Sequence, residues 1–304
     1  MERVHAKNRV QHKSHKSGRF SVLSTFVLVL LILYSLSIVL PLIWMVLTSF
    51  KSRIDYMENV FGFPTQFHFE NYQIAFDNFS QTYVRDGIVY TATIYEMLFN
   101  SLFYAIGGSF LGTLAIFLMA YAAARFDFKI GKVIYGIVIV TMVLPIVGSL
   151  PSAIQITRAL GLYDSYAFLW ISQFNFLGVH FLLFYEALKR IPRDYDEAGY
   201  IDGANNFTIM TRLIFPQVKG TFATIMLIKF AGLWNDYNIT MEYVPNIKTL
   251  AFGLYEYSQS YKAVISSTPM RLAGCCILAI PVTIFFLIFH KKIMGESDEG
   301  GIKG

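Results

Sequence analysis

Gly220-Thr-Phe-Ala-Thr-Ile-Met-Leu-Ile-Lys-Phe-Ala-Gly-Leu-Trp-Asn-Asp-Tyr-Asn238 is apolar enough to enter lipid, yet it carries Lys229 and Asp236. Crossing the hydrocarbon layer, about 30 Å thick, takes about 20 apolar helical residues. Residues 20–50, 97–124, 133–157, 165–185 and 272–290 meet that measure without any Asp, Glu, Lys or Arg. A chain of 304 residues that is 55% hydrophobic and only 15% charged is too apolar for soluble domains, so lipid is its expected solvent. The open point is whether 220–238 makes a sixth span.

Charge placement answers it, because Lys and Arg are retained on the cytoplasmic side of a membrane. With six spans and both termini inside, the cytoplasmic segments hold seventeen of the 25 Lys and Arg, including Arg125, Arg190, Arg193 and Lys291. The outer segments hold seven, and Lys229 is the remaining one. Omitting 220–238 would move Lys291 and Lys292 outside, so the stretch is predicted to cross. Backbone groups in hydrocarbon must pair internally, which makes each span a helix and Pro41, Pro145 and Pro281 local kinks. Continuous apolar runs exclude a barrel of short alternating strands.

The predicted fold is therefore an all-α integral membrane protein of six transmembrane helices. Residues 1–19, with six Lys or Arg and three His, form a basic cytoplasmic tail. Residues 20–290 form a single transmembrane domain with an extracytoplasmic loop at 51–95 and a cytoplasmic loop at 189–219, and 291–304 form a second cytoplasmic tail. The apolar run after residue 19 is too long for the core of a cleaved signal, so it reads as a signal-anchor. Cys275 and Cys276 read as small packing residues, with no disulfide framework or metal-ligand spacing.

The cytoplasmic loop reads as two short helices. Pro192 and the acidic run Asp194, Asp196 and Glu197 suit a first turn, where negative charge meets the positive helix end. Gly203 suits a left-handed stop, Asn205 a cap for the second helix, and Pro216 the approach to the membrane. Phe207, Met210 and Ile214 recur at three- and four-residue spacing and predict one apolar stripe.

Glu197-Ala198-Gly199, three residues, Gly203, nine residues and then Leu213-Ile214-Phe215-Pro216 reproduce the spacing of a cytoplasmic signature. It resembles that of the membrane subunits of ABC importers, with Gly199, Leu213 and Phe215 as small or apolar departures. Further fragments are similar to the carbohydrate, maltose-type branch: Pro41 to Lys51, Phe67 to Tyr72, Ala120 to Phe126, Ile201-Asp202-Gly203-Ala204, Leu233 to Tyr237 and the Gly300-Gly-Ile-Lys-Gly304 ending. The resemblance implies a permease subunit for a sugar or oligosaccharide in a bacterial or archaeal plasma membrane. It implies as partners a second homologous permease, two ATP-binding subunits and an extracellular solute-binding protein, with lipid around the spans. Nucleic acid is not an expected partner. Glu197, Ala198, Gly199, Asp202, Gly203, Ala204, Phe207, Met210 and Pro216 would then form the coupling helix that docks on an ATPase. The tail would either thread between the ATPases or fray in solvent.

Charged residues inside lipid are expensive and usually face a bundle interior or a watery path. Lys229 and Asp236 lie two helical turns apart, about 10 Å, too far for a direct salt bridge. With Trp234, Asn235 and Tyr237 they offer hydrogen bonds and a stacking face suited to a sugar; equally, Lys229 snorkels inward while Asp236 and the aromatics form an interfacial belt. His180 reads as an interhelical hydrogen-bonding residue rather than a proton carrier. The Tyr-rich segment 239–270 either meets the docked binding protein or simply connects spans.

No phosphate loop ending in Gly-Lys-Ser or Gly-Lys-Thr is present, so ATP and its Mg are expected on the partner subunits and no cofactor on this chain. No His-Glu-x-x-His or Gly-x-Ser-x-Gly supports an enzyme. The alternatives are an ABC permease for a non-sugar solute and, from a different class, an ion-coupled secondary transporter using Lys229, Asp236 and His180. The second predicts internal repeats that the sequence does not display.

Overall fold

The computed structural model describes residues 22–126, 129–144 and 148–295; the basic tail 1–19, Pro145 and the glycine-rich ending 300–304 lie outside the described residues. The chain forms α1 (Val22–Ser49), α2 (Arg53–Glu58), α3 (Glu70–Asp77), β1 (Gln81–Arg85), β2 (Ile88–Ala92), α4 (Ile94–Arg125), α5 (Lys129–Val143), α6 (Leu150–Ala159) and α7 (Tyr166–Ile171). It continues through α8 (Val179–Lys189), α9 (Asp194–Ile201), α10 (Asn206–Thr208), a π-helical turn at Ile209–Ile214, α11 (Phe215–Asn235), α12 (Asn238–Tyr243), α13 (Leu250–Ser258) and α14 (Thr268–Gly295). Among the described residues, three helical runs are long and apolar enough to cross a membrane: Leu23–Ser49, Ile94–Arg125 and Asn206–Asn235.

α4 is the central strut, packed against α11 and α8. Its buried side is rich in small residues, among them Ala105, Gly108, Ser109, Gly112, Ala120 and Ala124, which let neighbouring backbones approach. Around it lie two apolar clusters. One gathers Tyr104, Leu169, Phe230, Trp234, Leu250 and Tyr257 toward the predicted outer side. The other gathers Phe117, Phe184, Leu188, Ile209, Ile214 and Phe222 toward the cytoplasmic loop. α1 instead runs along α14 and leaves its apolar side chains exposed, as a lipid-facing helix does.

Two expected continuous spans are broken. Residues 133–157 divide between α5 and α6, with Gly148 at φ 79° between them and Pro151 in the first turn of α6. A proline is favoured in the first turn of a helix, and Gly148 in the left-handed region just precedes it, so a separate helix starts at Leu150. Residues 165–185 divide between α7 and α8, and Gly178 at φ 115° restarts the chain.

The all-helical expectation also needs correcting. β1 and β2 form an antiparallel hairpin in register from Gln81 with Ala92 to Arg85 with Ile88. Its turn, Asp86-Gly87, has φ of 52° and 77°, the paired positive dihedrals of a type I′ turn. Tyr83 and Tyr90 stack across the strands at 5.5 Å, and Gln81 Nε2 donates to Gly253 O at 3.3 Å, tying the hairpin to α13. The rest of the 51–95 loop is pinned to the end of α1. Asn71 Nδ2 donates to Ser49 O at 2.8 Å and to Lys51 O at 2.9 Å, and Phe50 packs on Phe69 and Tyr72.

Candidate functional site

The cytoplasmic bend is built from its backbone outward. α9 ends as anticipated: Gly203 takes φ 77°, its N–H donates to Tyr200 O at 3.0 Å, and the Ala204 N–H donates to Gly199 O at 2.9 Å. These two bonds are a Schellman closure, which satisfies carbonyls a plain helix end would leave open. Asn205 Oδ1 then accepts from the Thr208 N–H at 2.8 Å and opens the next helix. Tyr200 Oη donates across the bend to Asn206 Oδ1 at 2.6 Å.

One side of the bend is fixed to the bundle. Arg125, at the end of α4, is buried and donates to Leu188 O at 3.3 Å, Ile191 O at 2.8 Å and Pro192 O at 3.3 Å, and to the buried Asp196 carboxylate. Arg193 returns a hydrogen bond to Arg125 O. Gly199 lies where a Cβ would stand 2.8 Å from Ile209 Cγ1 and 3.0 Å from Leu213 Cδ1, so α9 rests directly on the π-helical turn.

The other side faces outward. Glu197, Ala198, Asp202 and Gly203 are exposed, Pro216 is exposed in the first turn of α11, and Ala204 is half-buried. The predicted apolar stripe does not hold together. Phe207 is 69% exposed, Met210 is half-buried and Ile214 is fully buried. The intervening π-helical turn widens the helix by one residue, so side chains three and four apart no longer share a face. The outward apolar surface is instead Phe207 with Ile201, which is 85% exposed, and Tyr200.

The five α11 candidates are dispersed rather than gathered into one pocket. α11 ends at Asn235, short of the predicted 238. Trp234 is 2% exposed and stacks on Phe230, facing the core. Asn235 is exposed, with Nδ2 donating to Ala231 O at 2.8 Å. Asp236 Oδ1 accepts from the N–H groups of Asn238 at 2.9 Å and Ile239 at 3.2 Å, and Oδ2 accepts from Tyr104 Oη at 3.0 Å. Asp236 therefore caps α12 and ties it to α4. Tyr237 stacks on Tyr255 at 4.7 Å. Lys229, half-buried, lies against Gly112 of α4, and His180 lies in the first turn of α8. Arg125, Tyr104 and Gly112 were not singled out by sequence reasoning. Arg125 and Asp196 stand 71 residues apart, and nothing local in either segment announces the pairing.

Comparison with known proteins agrees with this architecture. Residues 112–293 match the family described as binding-protein-dependent transport system inner membrane component. The diacetylchitobiose uptake system permease protein of Streptomyces coelicolor is 24% identical, over 89% of this chain and 86% of its own length. The arabinooligosaccharides transport system permease protein of Bacillus subtilis is 26% identical, over 95% of this chain and 99% of its own length. One chain of a bacterial ABC transporter involved in the import of the acidic polysaccharide alginate superposes with a TM-score of 0.71 at 22% identity, covering 89% of this chain and 96% of that one. The matched region runs from the middle of α4 through the cytoplasmic bend into α14 and includes both Arg125 and Asp196. The chain belongs to the family of binding-protein-dependent transport system inner membrane components and is a transport subunit rather than an enzyme.

Proposed function

We propose that this subunit carries a sugar or oligosaccharide across the membrane within an ATP-driven importer, and that the bend from Glu197 to Pro216 is its contact with an ATPase. The similarity to permeases for diacetylchitobiose and arabinooligosaccharides supports the substrate class. Six spans with both termini in the cytoplasm, and the division into tail 1–19, transmembrane domain 20–290 and tail 291–304, follow from the distribution of Lys and Arg. The assembly includes a second permease, two ATP-binding subunits that hold ATP and Mg, and an extracellular solute-binding protein. Lys229, Trp234, Asn235, Asp236 and Tyr237 serve it unequally: Lys229 faces the path, while the other four shape and close the outer end of α11.

The observation that carries this reading is the two-sidedness of the bend. Asp196 and Gly199 are fixed to the bundle, while Glu197, Asp202, Ile201 and Phe207 project from it. A surface of acidic and apolar side chains on a rigid base suits docking into a partner's cleft. The test is Gly203→Val in the complete transporter reconstituted in liposomes. Valine strains badly at φ 77°, so the knob is reshaped while the rest of the chain is untouched. Transport and binding-protein-stimulated ATP hydrolysis are expected to fall by about tenfold or more. Full transport by an assembled variant refutes the assignment. Uptake that persists without ATP and collapses with an uncoupler would instead favour the ion-coupled reading.

A further inference from the structure

Lys229 lies in the last third of its helix, six residues, about 9 Å, before the end at Asn235. It is 14 residues beyond Phe215, about 21 Å along α11. Its neighbour Gly112 is 18 residues into α4, about 27 Å from the start of that helix, and 13 residues, about 20 Å, from Arg125 at its end. At the same level the fourth span is unwound between α7 and α8. A Cβ on Gly112 would stand 2.7 Å from Lys229 Cε, 3.0 Å from its Nζ and 2.9 Å from Gln173 O. The missing side chain thus leaves the ammonium in a gap between α4 and the unwound segment. Irregular backbone at this depth is tolerated where it is buried in protein or lines a watery cavity.

Among the described residues the cation has no counter-charge. Among the described residues Lys229 makes no salt bridge. α4 offers Glu96, 16 residues or about 24 Å from Gly112. α8 offers the exposed Glu186, six residues or about 9 Å beyond His180 toward the cytoplasm. α7 and α14 contribute no acid, and Asp236 is occupied by Tyr104 and α12. A second positive element lies at the start of α8, just after the unwound segment. α8 begins at Gly178 with no side chain capping its first-turn N–H groups, carries His180 in that turn, and packs against both α4 and α11. A helix N-terminus at a break in a span is suited to an anionic group of a solute.

We propose that Lys229, with the open N-terminus of α8, forms a subsite for a carboxylate or sulfonate on the transported carbohydrate, so that this importer takes an acidic saccharide. The proposal rests on the importer reading above and adds the charge of the cargo. A neutral hydroxyl would accept a hydrogen bond there but leave the cation uncompensated, whereas an anion satisfies both.

The experiment uses the complete transporter in nanodiscs and two matched probes, trigalacturonate and its uncharged methyl ester, measured by equilibrium binding. The wild type and Lys229→Arg are expected to bind the uronate about tenfold or more tighter than the ester. Lys229→Met is expected to bring the two within about twofold. No charge preference in the wild type, or a preference that Lys229→Met retains, overturns the subsite and points to a partner carboxylate pairing with Lys229. Binding-protein-stimulated ATP hydrolysis by the same wild-type discs keeps the two readings separate. Hydrolysis with no charge preference removes only the subsite, and absence of stimulated hydrolysis removes the importer reading beneath it.

Discussion

The Arg125 guanidinium donates to three backbone carbonyls as well as to Asp196, which explains why an arginine rather than a lysine suits the end of α4. A planar fork with five donors reaches carbonyls from α8 and from the following loop at once, where an ammonium would serve fewer. Breaking a buried pair from one side strands a charge and costs about 3–5 kcal/mol, more than removing both partners. Arg125→Met and Asp196→Leu are each expected to lower the midpoint of thermal unfolding strongly, and the double variant to lose less than the sum of the two. Strict additivity in that cycle would mean the two side chains are not coupled. Arg125→Lys should fall between wild type and Arg125→Met.

Discontinuous helices distinguish this fold from a simple bundle of rods. Gly178, with φ 115° and ψ −174°, occupies a region that only glycine enters without strain, and it positions the start of α8 beneath the unwound segment. Gly178→Ala is expected to cost about 1–3 kcal/mol, seen as a lower unfolding midpoint of the purified complex. The open space around this position excludes a steric clash as the cause. An unchanged midpoint would show that the break relaxes to another conformation. The π-helical turn at Ile209–Ile214 works in the opposite sense. It keeps the run from Asn206 to Asn235 continuous while rotating Ile209 and Ile214 into the bundle, so that the outward knob and the span belong to one lever.

In the whole molecule α4 links the two ends. It anchors the cytoplasmic bend through Arg125, meets Lys229 at Gly112, and holds the outer segment through Asn100, whose Nδ2 donates to Lys248 O at 2.8 Å. A displacement of the bend therefore has a direct mechanical route to the level of Lys229. The six-span topology makes a prediction at this scale. In a background with Cys275 and Cys276 replaced by alanine, a cysteine at Asp86 in the hairpin turn should react with a membrane-impermeant thiol reagent in intact cells. A cysteine at Ile201 should react only after the membrane is opened. Labelling of Ile201→Cys from outside would invert the arrangement and separate the bend from any cytoplasmic ATPase.

What could be determined from the sequence alone was what depends on neighbours along the chain or on one-dimensional composition. Apolar runs of span length mark α1, α4 and α11, because lipid selects on length and charge. The stop at Gly203 and the cap at Asn205 were legible because a left-handed glycine and a capping amide act within four residues. Asp86-Gly87 is an equally local hairpin signal, but it lies outside the long apolar runs and so does not register in span-length patterning. Only the tertiary structure decided which charged groups meet. Arg125 finds Asp196 across 71 residues, Tyr104 finds Asp236 across 132, and Lys229 finds the bare backbone of Gly112. It also decided that Trp234 serves the core, and that Ile201 and Phe207 are exposed while Met210 is half-buried and Ile214 is buried. The physical reason is that local hydrogen bonding sets where a helix begins and ends. Which of its faces is buried is set by the packing of distant segments, and a one-residue widening of a single turn is enough to change it.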